Sequence, residues 1–306
     1  MVRAAVAMGA DVNRRLFQAW PLMTYCAWRG CAEAVKACLA AGAEVDAPGG
    51  DIDGWETALV HAGREGHEAV VEALLEAGAS AEVGEDDEDE TLPAVCDGHP
   101  TPGIVRRLVE AGADVNARCY GHPALNNAAK FGNMAVMEAL VELGADVDGT
   151  DVLGRTAMHW AASGEVVRWL VALGLSVQGD GGYESPLYRA CYDGRVDAVR
   201  TLIELGADVD VNCPSMHGSA PINVAVGFAT KQVAVEMTRL LLAAGADANA
   251  ADKHGYAPLD NATHKACRAL LIDAGARPRT RGQDIDSDVS IPSYGSSFSE
   301  GPWGWF

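Results

Sequence analysis

GHEAVVEALLEAGAS, residues 66 to 80, decides the fold. Val70, Val71, Leu74 and Leu75 return at three- and four-residue intervals, which puts them on one face of a helix. Gly78 then closes that helix. A helix ends most easily on a residue at positive φ, a conformation that costs a Cβ-bearing residue energy and costs glycine almost none. Helix and stop signal are read together.

Worked outward, the same stretch recurs along the chain. Gly-Ala-Asp, or a near relative, returns at Gly9, Gly42, Gly78, Gly112, Gly144, Gly206, Gly245 and Gly275, with Gly174 a weaker copy. The intervals run from 30 residues (Gly144 to Gly174) to 39 (Gly206 to Gly245). An apolar pair stands before most of these glycines: Leu108-Val109, Leu140-Val141, Leu202-Ile203, Leu241-Leu242, Leu270-Leu271. A second, shorter helix precedes each long one, seen in TAMHWAA (156–162), SPLYRAC (185–191), APLDNA (257–262) and TALVHA (57–62). Thr or Ser caps it, Pro is tolerated in its first turn, and the alanines let neighbouring helices approach closely. A period near 33 residues is the mark of a stacked-repeat architecture.

These motifs resemble the ankyrin repeat family. Asp151 to Ala162 and Asp252 to Leu259 match the first half of the family's unit, and Gly66 to Ser80 matches the second. The resemblance covers residues 1 to about 276. It implies an all-α fold: an ankyrin-repeat solenoid of about eight helix-turn-helix units plus an N-terminal partial unit, with β-turn fingers and a disordered C-terminal tail. The boundaries expected are a partial unit at 1–13, then repeats at 14–46, 47–82, 83–116, 117–148, 149–177, 178–210, 211–249 and 250–276, and a tail at 277–306. The first stretch, Val2 to Asn13, looks like a second helix without its first, which leaves an apolar edge in need of a cap. Repeats ending at Gly174 and Gly275 are short between their helices, around Ser163 and His264, and the one ending at Gly245 carries extra residues near Gly227 to Val233. Pro93, Pro100 and Pro102 are expected to shorten the first helix of the third repeat.

Hydrophobic residues make up 49% of the chain and aromatics only 6%, so the core is built mainly from Ala, Val and Leu, as close helix stacking needs. The net charge of −20 argues against nucleic acid and against anionic membrane surfaces, and fits a basic or neutral protein partner. None of the eight cysteines forms a C-x-x-C pair, so they are read as reduced thiols filling small core positions. The first residues lack a secretory pattern, and an intracellular location, cytoplasmic or nuclear, is expected.

Chemistry-bearing constellations are sparse. No nucleophile elbow, P-loop or dinucleotide fingerprint occurs, and no two histidines have the i, i+4 spacing of a helix-borne metal site. The chain is therefore expected to have no catalytic residue, no metal ligand, no cofactor, no small-molecule substrate and no enzyme activity. His159, in the slot where the family has histidine, is expected to bridge backbone groups of neighbouring turns. An acidic run, Glu82 and Glu85 to Glu90, is either a solvated loop or a docking patch for a basic segment. Trp303, Trp305 and Phe306 end the chain, as a cap on the last repeat or as a motif for a partner.

The resemblance implies a protein-protein interaction module, with contacts from the finger residues and the last exposed positions of the short helices. Carried over, those slots hold Trp20, Trp28 and Arg29; Trp55 and Arg64; Tyr120, His122, Lys130 and Phe131; Arg155; Tyr192; His217 and Phe228; and His254 and Tyr256. Aromatic rings and arginines on an exposed surface are what binding hot spots are made of. An adaptor that bridges a client to an enzyme complex through its tail is the alternative. The partner's identity is not written in the sequence.

Overall fold

A computed structural model describes residues 11–14, 20–49, 56–82, 91–179, 184–211 and 218–277. Residues 1–10 of the expected partial unit, Glu85 to Glu90 of the acidic run, Trp55, His217 and residues 278–306 lie outside those residues.

Two compact units divide the chain, Met1–Val152 and Leu153–Phe306. In the first, the helices come in pairs: α1 (Leu22–Trp28) with α2 (Ala32–Ala40), α3 (Ala58–Arg64) with α4 (Glu68–Glu76), α5 (Thr91–Cys96) with α6 (Pro102–Glu110), and α7 (Ala124–Phe131) with α8 (Met134–Glu142). The second repeats the scheme with α9 (Ala157–Trp160) and α10 (Gly164–Ala172), α11 (Pro186–Tyr192) and α12 (Val196–Glu204), α13 (Pro221–Ala225) and α14 (Lys231–Ala243), and α15 (Pro258–Asn261) and α16 (Lys265–Asp273). Within each unit the first helices of successive pairs pack on one another, as α1 on α3 on α5 on α7, and so do the second helices. That is the ankyrin-repeat solenoid the periodicity implies.

Local chemistry sets each pair. Thr57, Thr101, Asn133, Ser163 and Ser185 cap their helices by accepting the N–H three residues on. Gly78 sits at φ +88, and the turn it makes lets the Ala79 N–H reach Leu74 O at 3.0 Å, the usual left-handed helix stop. Val71, Leu74, Ile104, Val105, Leu108, Met137 and Leu140 are completely buried between the layers. Each such aliphatic side chain stabilises the stack by roughly 1.5–3 kcal/mol.

The departures in length have distinct outcomes. The two short repeats lose the last turn of the short helix: α9 and α15 are four residues long, and Ala161 (φ −54, ψ 116) and Ala262 (φ −69, ψ 108) leave them in extended backbone. The extra residues of the long repeat extend the second helix instead, so α14 has 13 residues where its counterparts have nine. In α5 six residues are described, Thr91–Cys96, with Pro93 inside the helix. Among the described residues one finger pairs as true strands: β1 (Arg118–Cys119) and β2 (His122–Pro123) are antiparallel, with Cys119 opposite His122.

A line of side-chain stitches joins the turns of neighbouring repeats. Asn116 donates to Gly144 O (3.5 Å) and accepts from the Asp146 N–H (2.7 Å); Gln178 does the same with Gly206 O (2.8 Å) and Asp208 N–H (2.9 Å). Asn13 and Asn249 repeat the pattern. At Asp46 and Asp210 a carboxylate stands in the same place and only accepts, from Ser80 N–H (3.1 Å) and Asp247 N–H (2.8 Å).

Candidate functional site

In the first unit the short helices and fingers carry a row of rings and charges. Trp28 at the end of α1 is 37% exposed, and Arg29 lays its guanidinium over the ring at 5.7 Å. Tyr25, one turn earlier, is also exposed, 5.9 Å from the Trp28 ring. Trp20 meets Trp28 edge to face at 6.1 Å and stacks on the buried His61 at 4.4 Å, so it packs as much as it presents. Burial holds the His61 imidazole below its ordinary value, with Glu56 (3.3 Å) opposing.

Arg64, at the end of α3, is mostly buried in a bond to Glu56 Oε1 (2.6 Å) and reaches toward Asp97 (3.9 Å). Asp97 also receives Lys130 Nζ at 2.8 Å. The same Lys130 lies 5.2 Å over Phe131, whose ring is 40% exposed and packs edge-on against His99 at 5.6 Å. On the hairpin finger, Tyr120 is 52% exposed and holds φ +49, the only non-glycine residue at positive φ among the described residues. Gly121 follows at φ +75, and its missing Cβ leaves room for the exposed Val152, whose Cγ1 a methyl there would meet at 2.3 Å. Two successive positive φ values are what a tight two-residue hairpin turn requires, and Tyr is a costly choice for the first of them. His122 braces the finger through Asp151 Oδ2 at 3.6 Å, a carboxylate that is itself buried.

The second unit is built differently. Arg155 was expected on the exposed face; it is buried, bonded to Glu184 Oε1 at 3.3 Å. Its guanidinium stacks on Trp160 at 4.4 Å, and Arg189 stacks on the same ring at 4.5 Å. The early end of α9 is the reason: Trp160 becomes the last helical residue, and the two arginines close over it. Arg189 continues to Tyr192 (5.3 Å) and Asp193 (3.2 Å), leaving Tyr192 half-buried. Arg195 donates to Trp160 O and pairs with Asp193; burial lowers its guanidinium from the ordinary value, Asp193 offsetting. Phe228 packs its ring on Gly194, where a Cβ would lie 2.3 Å from Cζ, so it too is only partly exposed. His254 and Tyr256 are half-buried on a finger closed by Asp252 Oδ1, which accepts both their N–H groups at 2.9 and 3.0 Å. Trp55 and His217 lie outside the described residues.

Histidines serve the stack. His159 Nδ1 accepts the Thr156 N–H (3.1 Å), so its proton sits on Nε2, which donates to Glu184 O (3.1 Å). This is the bridge between turns that its slot implies. His67 and His264 donate to Trp28 O (3.0 Å) and Phe228 O (3.1 Å) of the preceding repeat, and Arg195 plays that part for Trp160. Among the described residues no group of three or more His, Cys, Asp or Glu is placed to hold a metal, and no helix is long and apolar enough to cross a membrane. Tyr25, exposed next to Trp28, is not among the contact residues expected from the sequence.

Comparisons with known proteins agree with the architecture. A model of ankyrin repeats matches at residues 92–179 and 146–213. The chain is 28% identical over 218 residues to a putative palmitoyltransferase, ZDHHC13, of Danio rerio, covering 69% of this chain and 28% of that protein. It is 31% identical over 221 residues to the ankyrin repeat and KH domain-containing protein mask-1 of Caenorhabditis elegans, covering 65% of this chain and 8% of that one. The chain thus spans well under two thirds of either relative. The solved human ASB11 ankyrin repeat domain superposes with a TM-score of 0.52 at 24% identity, over 84% of this chain and 99% of that domain. Recurrent helix pairs, left-handed glycine stops, inter-repeat stitches and these matches make one conclusion: the chain belongs to the ankyrin repeat family.

Proposed function

We propose that the chain binds a partner protein on the finger and short-helix faces of its units and performs no chemistry of its own. Ankyrin repeats are in general protein-interaction modules. The observation that carries the finer reading is the set of exposed rings in contact slots of the first unit: Trp28 (37%), Phe131 (40%) and Tyr120 (52%). Large rings left open to water on rigid elements favour association, because little conformational freedom is lost when they are covered. In the second unit the slots are mostly engaged internally, and the binding role is assigned chiefly to the first. The palmitoyltransferase name of one relative belongs to a protein of which this chain aligns with 28%. A net charge of −20 disfavours polyanionic partners.

The test is affinity capture with the intact chain and a Trp28→Ala, Tyr120→Ala, Phe131→Ala variant of equal thermal stability. Loss of specific captured proteins is expected; an unchanged set removes the assigned face.

A further inference from the structure

Four contacts tie the ends of the short helices of the first unit into one row. His67, just past α3, donates to Trp28 O at the end of α1 (3.0 Å), and its ring fills the space beside Gly30, where a Cβ would meet it at 2.7 Å. The His99 N–H, just past α5, reaches Arg64 O at the end of α3 (2.7 Å). Lys130, near the end of α7, comes back to Asp97 at the end of α5 (2.8 Å), and the His99 ring meets the Phe131 ring at 5.6 Å. In order, the row therefore holds Trp28 and Arg29, Arg64 and Glu65, Asp97, then Lys130 and Phe131. An exposed ring stands at each end, with two carboxylates between.

The cations of this row are already engaged. Arg29 lies over Trp28 at 5.7 Å, Arg64 is bonded to Glu56 at 2.6 Å, and Lys130 sits on Asp97. Glu65 is exposed and pairs with no cation among the described residues. What the row lacks is positive charge. The unit around it has the same bias: Met1–Val152 holds 26 of the 43 acidic and 10 of the 23 basic side chains, a net of −16 out of −20. A cationic ligand is drawn to such a surface, and an anionic one is repelled. Trp28 and Phe131 also accept cations on their faces, as Arg29 and Lys130 do at 5.7 and 5.2 Å.

We propose that the partner surface seated on the first unit is a cationic segment, an extended run of about eight residues that carries arginine or lysine. One basic side chain pairs with Glu65, and its neighbours stack on the rings of Trp28 and Phe131. The length follows from the row. Trp28 to Phe131 crosses three helix-to-helix steps of roughly 8–10 Å, and about eight extended residues at ~3.3 Å each span that distance. This names the chemistry of the partner for the binding face assigned above, and rests on that assignment.

Fluorescence anisotropy of labelled octa-arginine, titrated with the intact chain in about 0.15 M NaCl, tests it, with octa-lysine and octa-glutamate for comparison. Saturable binding of octa-arginine is expected, weaker binding of octa-lysine, and none of octa-glutamate. Glu65→Lys is expected to weaken octa-arginine by about 5-fold or more. Asp273→Lys makes the same change of charge at an exposed position of α16 in the second unit, and is expected to cost less than about 2-fold. Trp28→Ala, matched in thermal midpoint, should remove most of the preference for arginine over lysine, because an ammonium has no plane to stack. Equal weakening by the two charge reversals, no saturable binding of octa-arginine, or equal binding of octa-glutamate overturns the proposal. The two readings fail separately. If the ring variant described above loses its captured proteins and Glu65→Lys keeps them all, the face stands and its cationic partner falls; unchanged capture by the ring variant removes both.

Discussion

At the scale of single residues, Asp46 is a half-made stitch. Asn13 and Asn116 each donate to a turn glycine and accept from the residue two further on, whereas Asp46 only accepts, from Ser80. Asp46→Asn supplies the missing donor to the Gly78 carbonyl and is expected to stabilise the fold by about 0.5–1.5 kcal/mol in urea denaturation at pH 7. Burial raises the Asp46 carboxyl, so the ionised form is disfavoured in the folded state. That penalty is absent below the unfolded pKa and grows as pH rises through the folded one, so the advantage of Asn is expected to shrink on acidification. His61 has the opposite sign: burial lowers it, the unfolded chain binds its proton first, and stability is lost as pH falls below about 6.5. Thermal midpoints between pH 7.5 and 5 should drop more for the parent than for His61→Gln. Neither effect was legible in the sequence, because each depends on what lies next to the side chain. Arg155 makes the same point: its turn inward depends on Glu184 and Arg189, about thirty residues away, and on a helix that ends one turn early.

At the scale of elements, the helix pairs were readable because their signals are local and repeated: a capping residue, an apolar pair, a glycine. The missing turn in α9 and α15 was visible as a length deficit, but which helix lost it was not. The start of α10 shows why a local rule fails. Gly164 opens the helix, and alanine would ordinarily be the better helix former by about 1 kcal/mol. Yet a Cβ at Gly164 would lie 2.1 Å from Thr201 Oγ1 on α12, a buried hydroxyl that itself lacks a hydrogen bond. Gly164→Ala is therefore expected to destabilise by about 1–3 kcal/mol, and Thr201→Ala in the same chain to recover most of that loss. Denaturation of the two single variants and the double one gives the coupling directly. On the finger between β1 and β2, Tyr120→Asn relieves a left-handed backbone and is expected to raise stability by about 1 kcal/mol while weakening partner capture. A gain in stability together with unchanged capture would separate the strain from any binding role.

At the scale of the whole molecule, charge is the dominant feature legible from composition alone. With 43 acidic against 23 basic side chains, self-repulsion opposes folding. Exposed Arg–Glu rungs on the long helices, Arg106–Glu142, Arg168–Glu204 and Arg200–Glu236, each bridge neighbouring repeats and contribute little, about 0–1 kcal/mol. Salt screens both, and the repulsion is the larger quantity, so the thermal midpoint is expected to rise between about 0.05 and 0.5 M NaCl. A fall would mean that the rungs dominate.

The turn-to-turn bonds described above also decide where such a chain comes apart. Each bond reaches only the next repeat, so a break at one place leaves the others intact. Asp46 and Asp210 hold their neighbours by one hydrogen bond where Asn116 and Gln178 use two. The ties at Ser80 in the first unit and Asp247 in the second are therefore looser than those at Asp146 and Asp208, and on warming their backbone amides are expected to exchange with solvent sooner than those two.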